Sequence, residues 1–104
     1  MTATEITTVA QRFRDALTEN GISVSAIYLF GSHLNGVPHR GSDIDLCVVS
    51  KCLGDDDFED MVIINQIGKK VAAEIEAFPV SEEESKAPLD PFIAHALSKG
   101  KRIL

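Results

Sequence analysis

The chain has no tryptophan, one tyrosine and only two cysteines in 104 residues. Cys47 and Cys52 are too few for a disulfide framework. The three histidines, His33, His39 and His95, do not stand at the close spacing that would complete a zinc site with them. Cys47 lies in an apolar run and is expected to be a small buried hydrophobe; neither thiol has a base beside it in sequence. Positive charge is also scarce, with ten Lys and Arg against sixteen Asp and Glu and a formal charge of −6. So acidic a chain repels polyanions, and direct nucleic-acid binding is not expected. No apolar run approaches the roughly 20 residues of a membrane span. The stretch from Met1 to Asn20 is polar and charged rather than signal-like. A soluble, cytoplasmic protein without membrane contact is the expectation. Internal repeats, low-complexity tracts and Pro/Ser-rich linkers are missing too, which predicts a single domain over 1–104. This length leaves no room for a separate acceptor-binding domain. A second substrate is therefore expected at an edge or from another chain.

The 44% hydrophobic residues exclude wholesale disorder. Ile6, Val9, Phe13, Ala16 and Leu17 recur at helical spacing between Thr4 and Asn20, and Gly21 stops that helix. Val24 to Phe30 reads as a strand entering a tight turn at Gly31-Ser32. His33 to Gly41, with Gly36, Pro38 and Gly41, reads as loop. Asp43 to Val49 is a second strand. Asp55, Asp56 and Asp57 then crowd a helix N-terminus, which favours negative charge. The helix continues through Phe58, Met61, Val62, Ile64, Ile67 and Val71, a stripe read as ordinary core. Glu74 to Val80 is a third strand, and Glu82 to Glu84 a solvated acidic turn. Pro91 to Lys99 makes a last helix with Gly100 as its stop, and Arg102 to Leu104 an edge strand. The order α-β-β-α-β-α predicts an α/β (α+β) fold with a small mixed sheet flanked by helices.

The segment from Leu29 to Leu46, L-F-G-S-H-L-N-G-V-P-H-R-G-S-D-I-D-L, carries the chemistry. Residues i and i+2 of a strand share a face, so Asp43 and Asp45 point together while Ile44 and Leu46 pack behind. Two carboxylates on one face of an apolar strand repel each other and lose hydration. A divalent cation relieves both penalties, and hard oxygen donors suit Mg²⁺ or Mn²⁺. Gly31 lets a phosphate approach the backbone, and free N–H groups with the Ser32 hydroxyl would form an anion cradle. A cradle beside a carboxylate pair is what a metal-bound nucleoside triphosphate requires. The competing local readings fail on residue type. Ser42-x-x-Asp45 fits a helix-capping box, but Leu46, Cys47, Val48 and Val49 are strand material. Gly36-x4-Gly41-Ser42 lacks the lysine of a phosphate loop. Asp55 to Asp57 lack the alternate spacing of a calcium loop.

The spacing G-S-x10-D-x-D at Gly31, Ser32, Asp43 and Asp45 resembles the signature of the DNA polymerase β nucleotidyltransferase superfamily. The small size resembles its minimal nucleotidyltransferases (MNT). The resemblance implies a polymerase β-like fold, with the signature on two adjacent strands and a third carboxylate on a neighbouring one. It implies two-metal transfer of NMP, with ATP the expected donor, to a hydroxyl. The smallest members resemble antitoxins paired with an HEPN-domain ribonuclease toxin, which some adenylylate on tyrosine. Glu74 and Glu76 share a face of the third strand, and the family's strand-then-proline pattern at Glu76-Ala77-Phe78-Pro79 selects Glu76. Asp is usual there; Glu adds one methylene. The implied assignment is Asp43, Asp45 and Glu76 as catalytic and metal-binding, with Gly31 and Ser32 on the β,γ-phosphates. Basic residues often follow Gly-Ser in the family; here His33 and Asn35 stand there, Gly36 is kept, and Arg40 is the nearby positive charge. The alternative is an MNT-fold module that neutralises its partner by binding alone, burying a basic site against an acidic surface. Transfer to a small molecule ranks last, since relatives that do so carry an extra acceptor domain.

Overall fold

The computed structural model describes residues 2–31, 43–54 and 56–104. The segment read as loop between His33 and Gly41, together with Ser32, Ser42 and Asp55, lies outside them. The elements are α1 (Ala3–Glu19), β1 (Ala26–Phe30), β2 (Ile44–Ser50), α2 (Asp57–Val71), β3 (Ile75–Ser81), α3 (Glu82–Lys86), α4 (Pro91–Lys99) and β4 (Lys101–Arg102). They build a mixed sheet of order β3-β2-β1-β4, in which β1 runs antiparallel to β2 and β4, and β2 runs parallel to β3. The α+β architecture matches the expectation.

Helix α1 starts where the side chains can satisfy its orphan donors. Thr2 Oγ1 accepts from Glu5 N at 3.1 Å, and Glu5 Oε1 accepts from Thr2 N at 3.2 Å. It buries Ile6, Ala10, Phe13 and Leu17, the 4-3-4 spacing of one helical face. That face and the C-terminal half of α2 cover one side of the sheet, over Ile27, Leu29, Ile44, Leu46, Val48, Ile75 and Ala77. The layers meet closely at Gly68, where a methyl group would lie 2.8 Å from Ile75 Cγ2 and 3.2 Å from Phe13 Cε1. Helix α4 covers the other side through Ala96, Ile93 and Leu97, packed with Ala26, Cys47, Val49 and Val80. With both faces covered, β2 buries nearly every residue, which explains its continuous apolar run.

Two sequence expectations differ from the structure. Phe58, Met61 and Val62 stand outside the core, Phe58 being 80% exposed, whereas Ile64 is buried. Helix α2 engages the core through Ile64, Ile67, Gly68 and Val71, so its first turns present apolar side chains to solvent. The acidic turn at Glu82 to Glu84 is helix α3, capped by Ser81 Oγ, which accepts from Glu84 N at 3.0 Å. The Ser-x-x-Glu spacing at Ser81 is a helix-start signal.

The free edge of β3 is closed by side chains. Ile44 N donates to Glu74 O, so alternate residues Ile75, Ala77 and Pro79 turn their backbone groups away from β2. Ile75 N donates to Ala72 O at 3.2 Å. Ala77 N donates to Asn65 Oδ1 at 2.9 Å, and Asn65 Nδ2 donates to Ala77 O at 2.8 Å. Pro79 has no N–H to offer. On the far edge, β4 is two residues long, extended by Ile103 N donating to Ile27 O.

Candidate active site

The core strands bring the predicted carboxylates to one end of the sheet. Asp43 immediately precedes β2, and Asp45 is its second residue. Ile44 between them is fully buried, which turns both aspartates to the opposite face. In the parallel pair β2–β3, Asp45 lies in register with Glu76. Alternation along β3 buries Ile75 and Ala77 in the α1/α2 layer and leaves Glu76 exposed on the aspartate face. Glu74 precedes the strand and is half-buried, and its carbonyl accepts from Ile44 N at 2.7 Å. The register thus sets Glu76 beside Asp45, with Glu74 one step outside the paired residues.

Across the antiparallel pair, Asp45 faces Phe30, and Gly31 follows directly. Gly31 adopts φ +82°, and a methyl group there would fall 2.1 Å from Asp45 Oδ2. Glycine is required twice over, by the left-handed backbone and by the carboxylate lying against it. Ser32, His33, Asn35, Gly36 and Arg40 lie outside the described residues.

The carboxylates on this face act on one another. A hydrogen bond with Asp43 holds the Glu76 carboxyl above its ordinary value, and partial burial and the negative charges of Asp43 and Asp45 push the same way. The positive charge of Lys69 on α2 opposes them; its Nζ donates to Ala73 O at 2.9 Å. Lys69 also lines a surface depression of about 770 Å³ with Val62, Asn65, Gln66 and Lys70. Among the described residues no three His, Cys, Asp or Glu side chains close into a ready-made cation site. Asp43 and Glu76 instead lie close enough to interact with each other. The donor set is all carboxylate oxygen, and its mutual repulsion is what a hard divalent cation would relieve.

The match that decides the family spans residues 10–102, which fit the nucleotidyltransferase domain. The chain belongs to the nucleotidyltransferase domain family. Among curated proteins no significant match is found. Among solved structures, this nucleotidyltransferase domain is similar to a Sulfolobus solfataricus protein assigned as a nucleotidyltransferase. The TM-score is 0.59 at 19% identity, covering 79% of this chain and 72% of that one. It is also similar to a toxin–antitoxin crystallised with AMP-PNP, with TM-score 0.61 and 23% identity over 90% of this chain and 71% of that one. A doubly Asp-to-Glu substituted form of the toxin–antitoxin MntA-HpeT gives TM-score 0.60 and 21% identity over the same shares, 90% and 71%. At these identities the likeness is one of fold, and it agrees with the polymerase β-like arrangement. No helix among the described residues is long and apolar enough to cross a membrane.

Proposed function

We propose that this nucleotidyltransferase domain transfers AMP from ATP to a hydroxyl on a partner protein, an HEPN-domain ribonuclease toxin, and acts as its antitoxin. The supporting observation is the register that sets Asp45 beside Glu76, with Asp43 on the same face and Gly31 against Asp45, inside a nucleotidyltransferase domain. The acceptor oxygen attacks the α-phosphorus, the bond to the bridging β-oxygen breaks, and pyrophosphate leaves in line. Gly31 and Ser32 hold the β,γ-phosphates. Glu76 takes the hydroxyl proton as the new P–O bond forms. When bound, Mg²⁺ or Mn²⁺ held by Asp43, Asp45 and Glu76 supplies charge neutralisation for the triphosphate.

One observation favours a second reading, neutralisation by binding alone. Glu76 stands where the family resemblance leads one to expect aspartate, with a side chain one methylene longer. The two readings separate in one experiment. The purified chain and a candidate HEPN partner are incubated with ATP and Mg²⁺, and the partner's intact mass is measured. The enzyme reading expects an added AMP, lost with Asp43→Asn or Asp45→Asn while the complex still forms. Unmodified partner, with neutralisation retained by both variants, would establish the binding reading instead.

A further inference from the structure

Beside the carboxylates stands an aromatic cluster drawn from three separate elements. Phe30 and Phe78 have ring centroids 5.4 Å apart, Phe78 and Phe92 5.3 Å, and Phe30 and Phe92 5.8 Å, the last nearly edge to face. Register places this cluster against the site. Phe30 is paired across the strands with Asp45, and directly opposed residues have Cβ atoms about 4.5–5.5 Å apart. Phe78 follows Glu76 by two residues on the same face of β3. Phe92, at the start of α4, closes the trio and remains 48% exposed. Behind them Ala26, Cys47, Val49, Val80 and Ala96 are buried, with Tyr28, Ile93 and Leu97 partly buried against them. The aromatic surface is therefore the margin between a packed core and the charged end of the sheet.

We propose that the Phe30–Phe78–Phe92 cluster, with Phe92 as its exposed member, is the seat of the nucleobase of the donor nucleotide. This rests on the nucleoside triphosphate reading of the carboxylate site. A ligand whose phosphates lie at Gly31 and the carboxylates carries a flat ring one sugar away, and this trio is an apolar surface that the register sets beside Asp45 and Glu76. Stacking suits the position because it needs no hydrogen-bond partner, and all three aromatic side chains are phenylalanines that offer none. The trio therefore holds the base by its face and does not read its edge. It ranks nucleotides by stacking strength, purines above pyrimidines.

The test compares two ligands that share a triphosphate and differ in the base. Mg²⁺–ATP and Mg²⁺–tripolyphosphate are titrated calorimetrically into the full chain, Phe92→Ala, Phe92→Leu and Asp45→Asn, with thermal melts confirming folding. Aromatic stacking contributes about five- to 150-fold per base. Phe92→Ala is expected to lose at least about five-fold in ATP affinity while tripolyphosphate affinity stays unchanged, with Phe92→Leu recovering only part. Equal losses for both ligands, or no loss for either, would overturn the nucleobase seat while leaving the triphosphate reading intact. Binding of neither ligand to the wild type would overturn the triphosphate reading, and the seat with it. Unchanged nucleotide affinity with loss of partner binding would reassign Phe92 to a protein contact.

Discussion

Gly31 and Asp45 are in mutual contact across β1 and β2, so closely that a Cβ on the glycine would lie 2.1 Å from the Asp45 carboxylate oxygen. Gly21 has nearly the same backbone, φ +84°, with nothing within 4 Å of an added methyl group. The pair separates backbone strain from displacement of Asp45. Gly21→Ala should cost about 1–2 kcal/mol in chemical denaturation. Gly31→Ala should cost more and should also abolish Mg²⁺–nucleotide binding, because Asp45 must move. Equal stability losses in the two variants would mean that the Asp45 contact carries no weight.

The raised Glu76 carboxyl gives a stability prediction with a definite sign. The native state holds this proton more tightly than the unfolded chain does. The associated stability is full below the ordinary glutamate value of 4.5 and is lost as pH rises through the raised value. Above it, Glu76, Asp43 and Asp45 repel one another, with Lys69 as the opposing charge. Glu76→Gln should therefore melt higher than wild type at neutral pH, and the advantage should disappear on acidification. Millimolar Mg²⁺ should raise the wild-type Tm more than that of the variant. A variant that melts lower at neutral pH would contradict the repulsion.

The two thiols should differ sharply in reactivity. Cys47 is fully buried, and burial, with the Asp45 charge adding, pushes its thiol up to about 12. Cys52 is exposed, and hydrogen bonding to Ser23 and Ser50 lowers its thiol. Iodoacetamide at mildly alkaline pH should modify Cys52 alone in the native protein, with Cys47 following only on unfolding. Mass spectrometry of the time course reads this directly, and comparable rates at both sites would place Cys47 outside a closed core.

Asn65 is a stability determinant out of proportion to its single side chain. Asn65→Ala leaves both Ala77 backbone groups without their partners, and an unsatisfied buried group costs about 1–3 kcal/mol. A drop of that size in unfolding free energy is expected, with transfer activity preserved if Glu76 keeps its place. A change near zero would mean that water replaces the amide.

The elements that position the site were legible because their patterns are local. Alternation around Asp43 and Asp45 set their face, and Gly31 marked the end of the first strand. Glu76 could be selected over Glu74 from sequence only through a family pattern; its place in register with Asp45 depends on the parallel pairing of β2 and β3, which no local pattern shows. The aromatic cluster was not legible, since Phe30, Phe78 and Phe92 lie on three elements and meet only through tertiary packing. The outward stripe of Phe58, Met61 and Val62 misled for a related reason. Helical periodicity defines an apolar face without saying where along the helix a core is available. Ser81 could have announced α3, but a five-residue helix that buries nothing leaves no periodic signal.

The closed border of β3 limits how this molecule can join another. A neighbouring chain cannot lengthen the sheet by strand addition there, because Ile75 and Ala77 have spent their donors and Pro79 never had one. The opposite border at β4 offers only two residues. Recognition through backbone zippering is therefore foreclosed along β3, and the hydroxyl-bearing partner proposed above is expected to dock by side-chain fit against helices and the open end of the sheet.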